Sequence, residues 1–317
     1  MREVKIYDSS KKSEWDSFVK TSRNGTFLFL RDYMDYHADR FKDYSLMFYD
    51  EKNHLIALLP AHIKEDLFCS HQGLTYGGFI FDEKMTGTMM LEIFDETIHL
   101  LKENSIKKWI YSPIPYIYNR YPSEEDLYAL FKKEAVLKER KISSVIPLQS
   151  AYHFNQLRKR KVKKAINENF LLIQDDNYVD FWKILSSNLK EKYAAHPVHT
   201  LSEIQSLNSK FKGNILLYRI CRKGENETLA GCVIYKTEKV AHVQYIASTP
   251  EGRQYGAVDF LFYNLINEVY KDLTFFDLGT SVEDGGKYLN EGLLFQKEGF
   301  GGRAIMYDTY ELDINKK

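Results

Sequence analysis

The chain has 317 residues, 44% of them apolar and 15% aromatic, which can fill two ordinary cores and excludes a disordered composition. Its 44 basic residues balance 44 acidic ones, so whole-molecule attraction to nucleic acid or to an anionic membrane is excluded and any anion site must be local. No apolar run reaches the roughly 18 residues of a membrane helix, and Met1-Arg-Glu-Val-Lys-Ile6 lacks the apolar core of a signal peptide, so a cytoplasmic protein without membrane insertion is expected.

In chain order, Glu3 to Ile6 is strand-like, Lys11 to Lys20 is helical with Trp15 and Phe18 on one face, and Arg31 to Arg40 is helical. Tyr44 to Tyr49 and Leu55 to Ile63 flank the polar connector Asp50-Glu-Lys-Asn-His54 as a hairpin, and Leu74 to Phe81 is a further strand. From Lys84 to Lys102 the residues Met90, Ile93, Phe94, Thr97 and Leu101 recur with a helical period, and Lys107 to Tyr111 reads as the returning strand.

The second half repeats that order. Tyr178 to Tyr193 and Leu201 to Phe211 are helical, Ile215 to Cys221, Leu229 to Tyr235 and His242 to Ser248 are strands. Ala257 to Tyr270 then carries the apolar stripe Val258, Leu261, Phe262, Leu265, Ile266 and Val269, and Thr274 to Leu278 returns as a strand. Trp109-Ile-Tyr-Ser-Pro113 corresponds to Phe275-Phe-Asp-Leu-Gly279. This is the pattern of a duplicated α/β (α+β) domain, with residues 1–149 as the first copy and 150–317 as the second.

The copies differ at the turn that follows the third strand. The first has Phe81-Asp-Glu-Lys-Met-Thr-Gly87, with two acids and one late glycine; the second has Gly252, Arg253 and Gly256. Glycines let backbone N–H groups approach an anion, and a helix N-terminus with Arg253 favours negative charge, so the second copy is where a phosphate-bearing donor is expected. An ordinary turn at Thr249-Pro-Glu-Gly252 is the alternative.

His242-Val-Gln-Tyr245, Gly252-Arg-Gln-Tyr-Gly256, Phe276-Asp-Leu-Gly279 and the segment from Leu289 to Gly301 together resemble the GNAT acyltransferase superfamily, in particular its Fem-like branch of tandem GNAT-type domains. The likeness spans most of the chain and is densest from about residue 196 onward. It implies two tandem domains, each a mixed, largely antiparallel sheet flanked by helices. It also implies transfer of an acyl group from coenzyme A to an amine, on a nucleotide sugar or a cell-surface glycan precursor. The superfamily's pyrophosphate loop, Arg/Gln-x-x-Gly-x-Gly/Ala, matches here at Arg253 and Gly256 and departs at Val258. Because the Fem-like branch includes enzymes that take aminoacyl-tRNA and extend peptidoglycan precursors, tRNA is the alternative donor carrier. A catalytically silent binding module on the same scaffold is the third reading.

Amide formation from an activated acyl group requires a base for the ammonium proton, polarisation of the carbonyl and an acid for the leaving group. His199, His242, Asp277 and Glu298 are candidate acids and bases, with Gln244 beside His242. Simple alternation puts His242, Gln244 and Ile246 on one face of the strand and Val243, Tyr245 and Ala247 on the other. Tyr245 or Tyr288 is a candidate acid for the leaving group. The donor is expected against Ile246, Ala247, Ser248, Gly252, Arg253, Gln254, Tyr255, Gly256 and Ala257, with Asn290 and Lys297 reaching it from the closing helix. Acceptor binding is expected in the first copy and the groove between the copies.

Two features stand outside that scheme. The three cysteines, Cys69, Cys221 and Cys232, lack metal-type spacing and read as reduced packing residues, and no metal is expected. The run Arg158-Lys-Arg-Lys-Val-Lys-Lys164 holds six basic residues in seven. On a helix consecutive charges turn by about 100° each, so it reads first as a solvated helix and otherwise as a contact for coenzyme phosphates or a larger phosphorylated substrate.

Overall fold

A computed structural model describes residues 3–70 and 73–316, which divide into two compact units. The first comprises residues 1–142, 282–288 and 306–317; the second comprises 143–281 and 289–305. The break thus falls at 142/143, not after 149, and two C-terminal segments expected in the second copy belong to the first. At 142/143, 288/289 and 305/306 the chain passes between the units within a single strand, where no composition shift marks a linker.

In the first unit β1 (Glu3–Ile6), α1 (Lys12–Thr21), α2 (Arg31–Met34), β2 (Lys42–Asp43), β3 (Leu46–Tyr49), β4 (Leu55–Leu59), β5 (Ala61–Lys64), β6 (Leu67–Ser70) and β7 (Ile80–Phe81) precede α3 (Gly87–Glu103) and β8 (Lys108–Tyr111). The strands β1, β3, β4 and β7 form one antiparallel sheet. The expected strand 55–63 is divided between two sheets at Pro60, which lacks the N–H a ladder needs. Most of Leu74 to Phe81 is irregular, and the third strand of the copy is the shorter β6. It pairs antiparallel with β5 and parallel with β8 through Leu67–Lys108, Phe68–Trp109 and Cys69–Ile110. The face buried by α3 is Met90, Ile93, Phe94, Thr97 and Leu101, and Thr86 caps its start by accepting from Met89 N–H. Beneath it Phe79, Phe94, Trp109 and Tyr111 pack as a ring cluster. The Tyr111 hydroxyl donates to the fully buried carboxyl of Asp126, in α4 (Glu125–Lys132), at 2.5 Å.

In the second unit the end of β9 (Val136–Pro147) leads to α5 (Gln156–Asn167), β10 (Phe170–Asp175), α6 (Tyr178–Tyr193), α7 (Leu201–Lys210), β11 (Ile215–Arg222), β12 (Ala230–Lys236) and β13 (Val240–Ser248). There follow along the chain α8 (Pro250–Tyr255), α9 (Ala257–Asn264), β14 (Phe275–Thr280), β15 (Val282–Glu283), β16 (Tyr288–Leu289), α10 (Glu291–Glu298) and β17 (Arg303–Asp313), of which β15 and β17 from Met306 onward belong to the first unit. The two short strands pair with each other, and the end of β17, Tyr310 to Asp313, pairs antiparallel with β8 within the first unit. Strand order in the second unit is β10-β11-β12-β13-β14-β9, antiparallel throughout except for β13 and β14. One face of this sheet carries α5 and α9 over a core containing Ile146, Cys232, Val243, Leu261 and Phe276. A capping box at Thr200 and Glu203 starts α7.

The helical stripe expected through Val269 ends early. After Asn264 the backbone loosens into a π-type turn, Leu265–Val269, which rotates Val269 outward to 42% exposure. Asp259, absent from the expected stripe, is buried because Arg158 meets it at 2.8 Å. All three cysteines are buried and unpaired, and burial raises the Cys69 thiol to about 11. No described helix is long and apolar enough to cross a membrane. Both units are therefore mixed and largely antiparallel, flanked by helices: a parallel pair stands among antiparallel neighbours in each, β13 with β14 in the second and β6 with β8 in the first, which also holds the separate antiparallel sheet β1-β3-β4-β7.

Candidate active site

Three rungs join β13 and β14: Val240–Phe275, Ala241–Phe276 and His242–Asp277. There the parallel pairing ends, and the opposite edge of β14 also shifts register between Asp277 and Thr280. Gly279 lies in that shift with φ +78°, a conformation an L side chain rarely adopts. A Cβ there would meet Val243 O, His242 Cε1 and Lys297 Nζ at 3.6 to 4.0 Å, so the glycine answers to backbone conformation and not to space.

The ladder between β12 and β13 contains a bulge: Ile234 pairs with Val243 and Val233 with Tyr245, leaving Gln244 unopposed. Residues opposed across an antiparallel ladder share a face. His242, opposite Tyr235, and Tyr245, opposite Val233, therefore lie on the same side, while Val243 and Ile246 lie on the other. The inserted residue overturns the simple alternation expected from the sequence and brings Tyr245 to the face of His242.

Polar groups converge where the strands part. Asp277, 0% exposed, accepts from Ser143 Oγ at 2.6 Å and from Gly279 N–H at 2.8 Å through Oδ1, while Oδ2 lies 2.8 Å from His242 Nδ1. An acceptor at Nδ1 selects the tautomer whose lone pair is on Nε2. The His242 ring is partly open, at 12% side-chain exposure, so a buried carboxylate holds an accessible imidazole. Lys297, on α10, donates to Gly279 O at 2.9 Å and Thr280 O at 2.6 Å. Burial lowers its ammonium to about 8, with Asp277 opposing the shift. Lys297, expected to reach a donor phosphate, is thus held beside the buried carboxylate.

Farther along the same face, Tyr245 Oη lies 2.5 Å from His199 Nδ1, and its ring meets Trp182 edge-on at 5.2 Å between centroids. Burial raises the Tyr245 hydroxyl to about 12, so it stays protonated. His199, expected at a cleft or on a loop, is 2% exposed and joined to Tyr245. Gln244 occupies the bulge, half-buried.

The turn after β13 is closed. Thr249 caps α8, its Oγ1 accepting from Gly252 N–H at 3.0 Å, and its carbonyl takes Arg253 N–H at 3.0 Å. Arg253 Nη1 donates to Ser248 O at 2.6 Å. A Cβ on Gly252 would stand 2.2 Å from Leu229 O, and one on Gly256 2.8 Å from Lys161 O, so both glycines permit close backbone packing. Gly256 also has φ +78° and ends α8 in the left-handed conformation. Asp259 sits in the first turn of α9, paired with Arg158, and supplies negative charge to that helix N-terminus from within the chain. Gln254 O accepts from Lys164, and the Tyr255 ring lies 4.9 Å from Lys164 Nζ and 5.4 Å from Arg222. Ile246 is 36% exposed, while Ala247, Ser248 and Ala257 are buried.

The remaining expected residues have structural contacts. Asn290 caps α10, accepting from Leu293 N–H at 3.0 Å. Glu298 is exposed at the end of that helix, and no described contact joins it to His242 or Asp277. Ser143 was not foreseen; its signal was two serines, Ser143 and Ser144, entering the apolar run Val145-Ile146 of an unrecognised strand. Among the described residues no group of three or more His, Cys, Asp or Glu side chains is arranged to hold a metal ion.

No protein-family profile matches the sequence, and no curated protein matches it. Solved structures do match over the whole length. FemX superposes with a TM-score of 0.68 at 12% identity, covering 99% of this chain and 98% of that one. L-PGS from Bacillus licheniformis follows at 0.61 and 11%, covering 99% and 94%. A tandem GNAT protein from the clavulanic acid biosynthesis pathway matches at 0.50 and 8%, covering 100% of both chains. At these identities the likeness is one of fold, and the fold of this chain is the tandem GNAT fold of the Fem-like proteins.

Proposed function

We propose that the chain is an N-acyltransferase whose chemistry resides in the second unit, with an aminoacyl-tRNA as donor and the amine of a cell-envelope precursor as acceptor. The observation that carries the reaction class is the buried Asp277 carboxylate holding the His242 imidazole at the parting of β13 and β14.

In this reading the acceptor reacts as the free amine, its ammonium proton having been released to water, and His242 Nε2 takes a second proton from that nitrogen as it attacks the ester carbonyl. The carbonyl oxygen becomes an oxyanion opposite the Lys297 ammonium, which has three N–H donors and engages two with backbone carbonyls. The tetrahedral adduct collapses, the bond from the carbonyl carbon to the ribose oxygen breaks, and that oxygen leaves with the proton held by His242. An amide and a free ribose hydroxyl result.

The choice of donor rests on the closed turn. Gly252 N–H and Arg253 N–H are bonded within the turn, Arg253 is tied to Ser248 O, and Asp259 occupies the start of α9. A diphosphate would have to displace these contacts and approach a buried carboxylate, which argues against coenzyme A. Of the two donors that the Fem-like resemblance implies, the RNA-borne ester does not need that cradle.

The test is transfer of a labelled amino acid from aminoacyl-tRNA to a panel of amines, including muropeptide precursors, with and without ribonuclease pretreatment. Ribonuclease-sensitive amide formation that is lost in Asp277→Asn is expected. Transfer from acetyl-CoA with release of thiol, and none from any aminoacyl-tRNA, would overturn the donor assignment.

A further inference from the structure

The basic run Arg158 to Lys164 does not spread around α5 as its density suggests. Arg158, Val162 and Ala165 turn inward, and Lys159, Arg160, Lys163 and Lys164 are exposed. The exposed four form two i,i+4 pairs, Lys159 with Lys163 and Arg160 with Lys164, side by side on one face. Among the described residues none of the four has a carboxylate partner within ion-pair distance. Like charges at this spacing each cost a helix about 0.2 to 0.5 kcal/mol, so the arrangement opposes stability in a chain whose total charge is zero.

The stripe continues onto an aromatic ring. Lys164 Nζ stands 4.9 Å from the ring centre of Tyr255, which Arg222 approaches from 5.4 Å. The backbone of α5 also lies against Gly256, which ends α8, the short helix that follows the end of β13. From that end of β13 to His242 is about six residues of strand, roughly 20 Å. The apolar side of α5, Val162 and Ala165, is used in the core, and the exposed Ile166 alone does not make the apolar face by which an interfacial helix enters lipid. Exposed cations beside a partly buried aromatic ring suit an RNA backbone and the edge of an unstacked base.

We propose that the face of α5 formed by Lys159, Arg160, Lys163 and Lys164, with Tyr255, is the docking surface for the RNA of the donor. Its phosphates lie along the helix and its single-stranded end runs toward His242. This assignment rests on the aminoacyl-tRNA reading above, and its test measures binding separately from transfer.

The variant Lys159→Gln/Arg160→Gln/Lys163→Gln/Lys164→Gln is compared with the wild type for binding of uncharged tRNA across a salt series. With about 0.7 released counterions per single-strand phosphate contact, the slope of log affinity against log salt should fall by about 3, and affinity by at least tenfold near 100 mM salt. The KM for aminoacyl-tRNA should rise while kcat holds. Circular dichroism and a melting curve matching the wild type exclude misfolding.

Equal tRNA binding by variant and wild type overturns the surface while leaving the donor reading intact. Lost binding to phosphatidylglycerol vesicles with retained tRNA binding overturns it in favour of a membrane face. Wild-type tRNA binding that depends on these residues, with no aminoacyl transfer, upholds the surface and overturns the donor reading instead.

Discussion

Each unit contains a short parallel ladder of three rungs, and the last rung of each carries different chemistry. In the first unit it is Cys69–Ile110, and the next residue, Tyr111, turns into a cluster with Phe79, Phe94 and Trp109. In the second it is His242–Asp277, followed by a left-handed glycine and approached by a buried lysine. Similar backbone geometry serves as packing in one place and as a polar site in the other, so the architecture alone does not make the site. What distinguishes them is the set of donors around Asp277 that makes a buried carboxylate tolerable there.

The largest expected effect on that contrast comes from removing the second unit's rung. His242→Ala and Asp277→Asn should each reduce kcat by about 10² to 10⁴, the range for losing a positioned general base or the group that orients it, with circular dichroism unchanged. A loss below about threefold in both would show that the rung is structural, like its counterpart in the first unit.

Next is Lys297→Met, expected to lower kcat by about 10² to 10³ as loss of an oxyanion donor does. In the wild type its ammonium loses its proton as pH rises through about 8, so the rate that depends on the charge should decline above that value. A profile flat from pH 7 to 9.5 would remove Lys297 from the chemistry. Ser143→Ala, which deletes one of several donors to Asp277, should cost about three- to tenfold in kcat, or roughly 1 kcal/mol.

The smallest effect on transfer, and one confined to stability, is expected at Asp126. Burial raises its carboxyl from 3.8 to about 6. Between those values the folded chain binds more protons than the unfolded one, so this group's contribution to stability falls as pH rises through that window. Asp126→Asn, which does not titrate, should therefore be more stable than the wild type above pH 6, by up to about 3 kcal/mol, and lose that advantage toward pH 4. Denaturant midpoints at pH 4.5 and 7.5 read it directly, and transfer activity should remain at the wild-type level.

Much of the architecture was legible in periodicity. The buried face of α3 is the set of five residues that its spacing indicates, and the order of elements in the second unit follows the apolar runs. The site was legible in part: His242 and Asp277 stand out because polar groups in apolar strands must find partners. Their mutual contact was not, since a parallel rung between strands 35 positions apart leaves no local pattern. The face of Tyr245 was misread because alternation assumes an uninterrupted ladder, and nothing in Val243-Gln244-Tyr245 announces an inserted residue. The closed turn was read as open for a similar reason. Glycine spacing reports where backbone can come close, and here what comes close to Gly252 and Gly256 is the chain itself.

The first unit's β8 is bordered by residues Tyr310 to Asp313, almost two hundred positions downstream. A ribosome must therefore finish nearly the whole chain before the unit made first can complete its sheet, and until then β8 presents an open edge. The second unit, whose strands β10 to β14 are contiguous in sequence, has no such delay to its central sheet. Folding order should thus run against synthesis order, with the half that carries the proposed active site assembling first. A chain ending at residue 305 would keep every residue of the proposed active site and lack the strand that closes its neighbour.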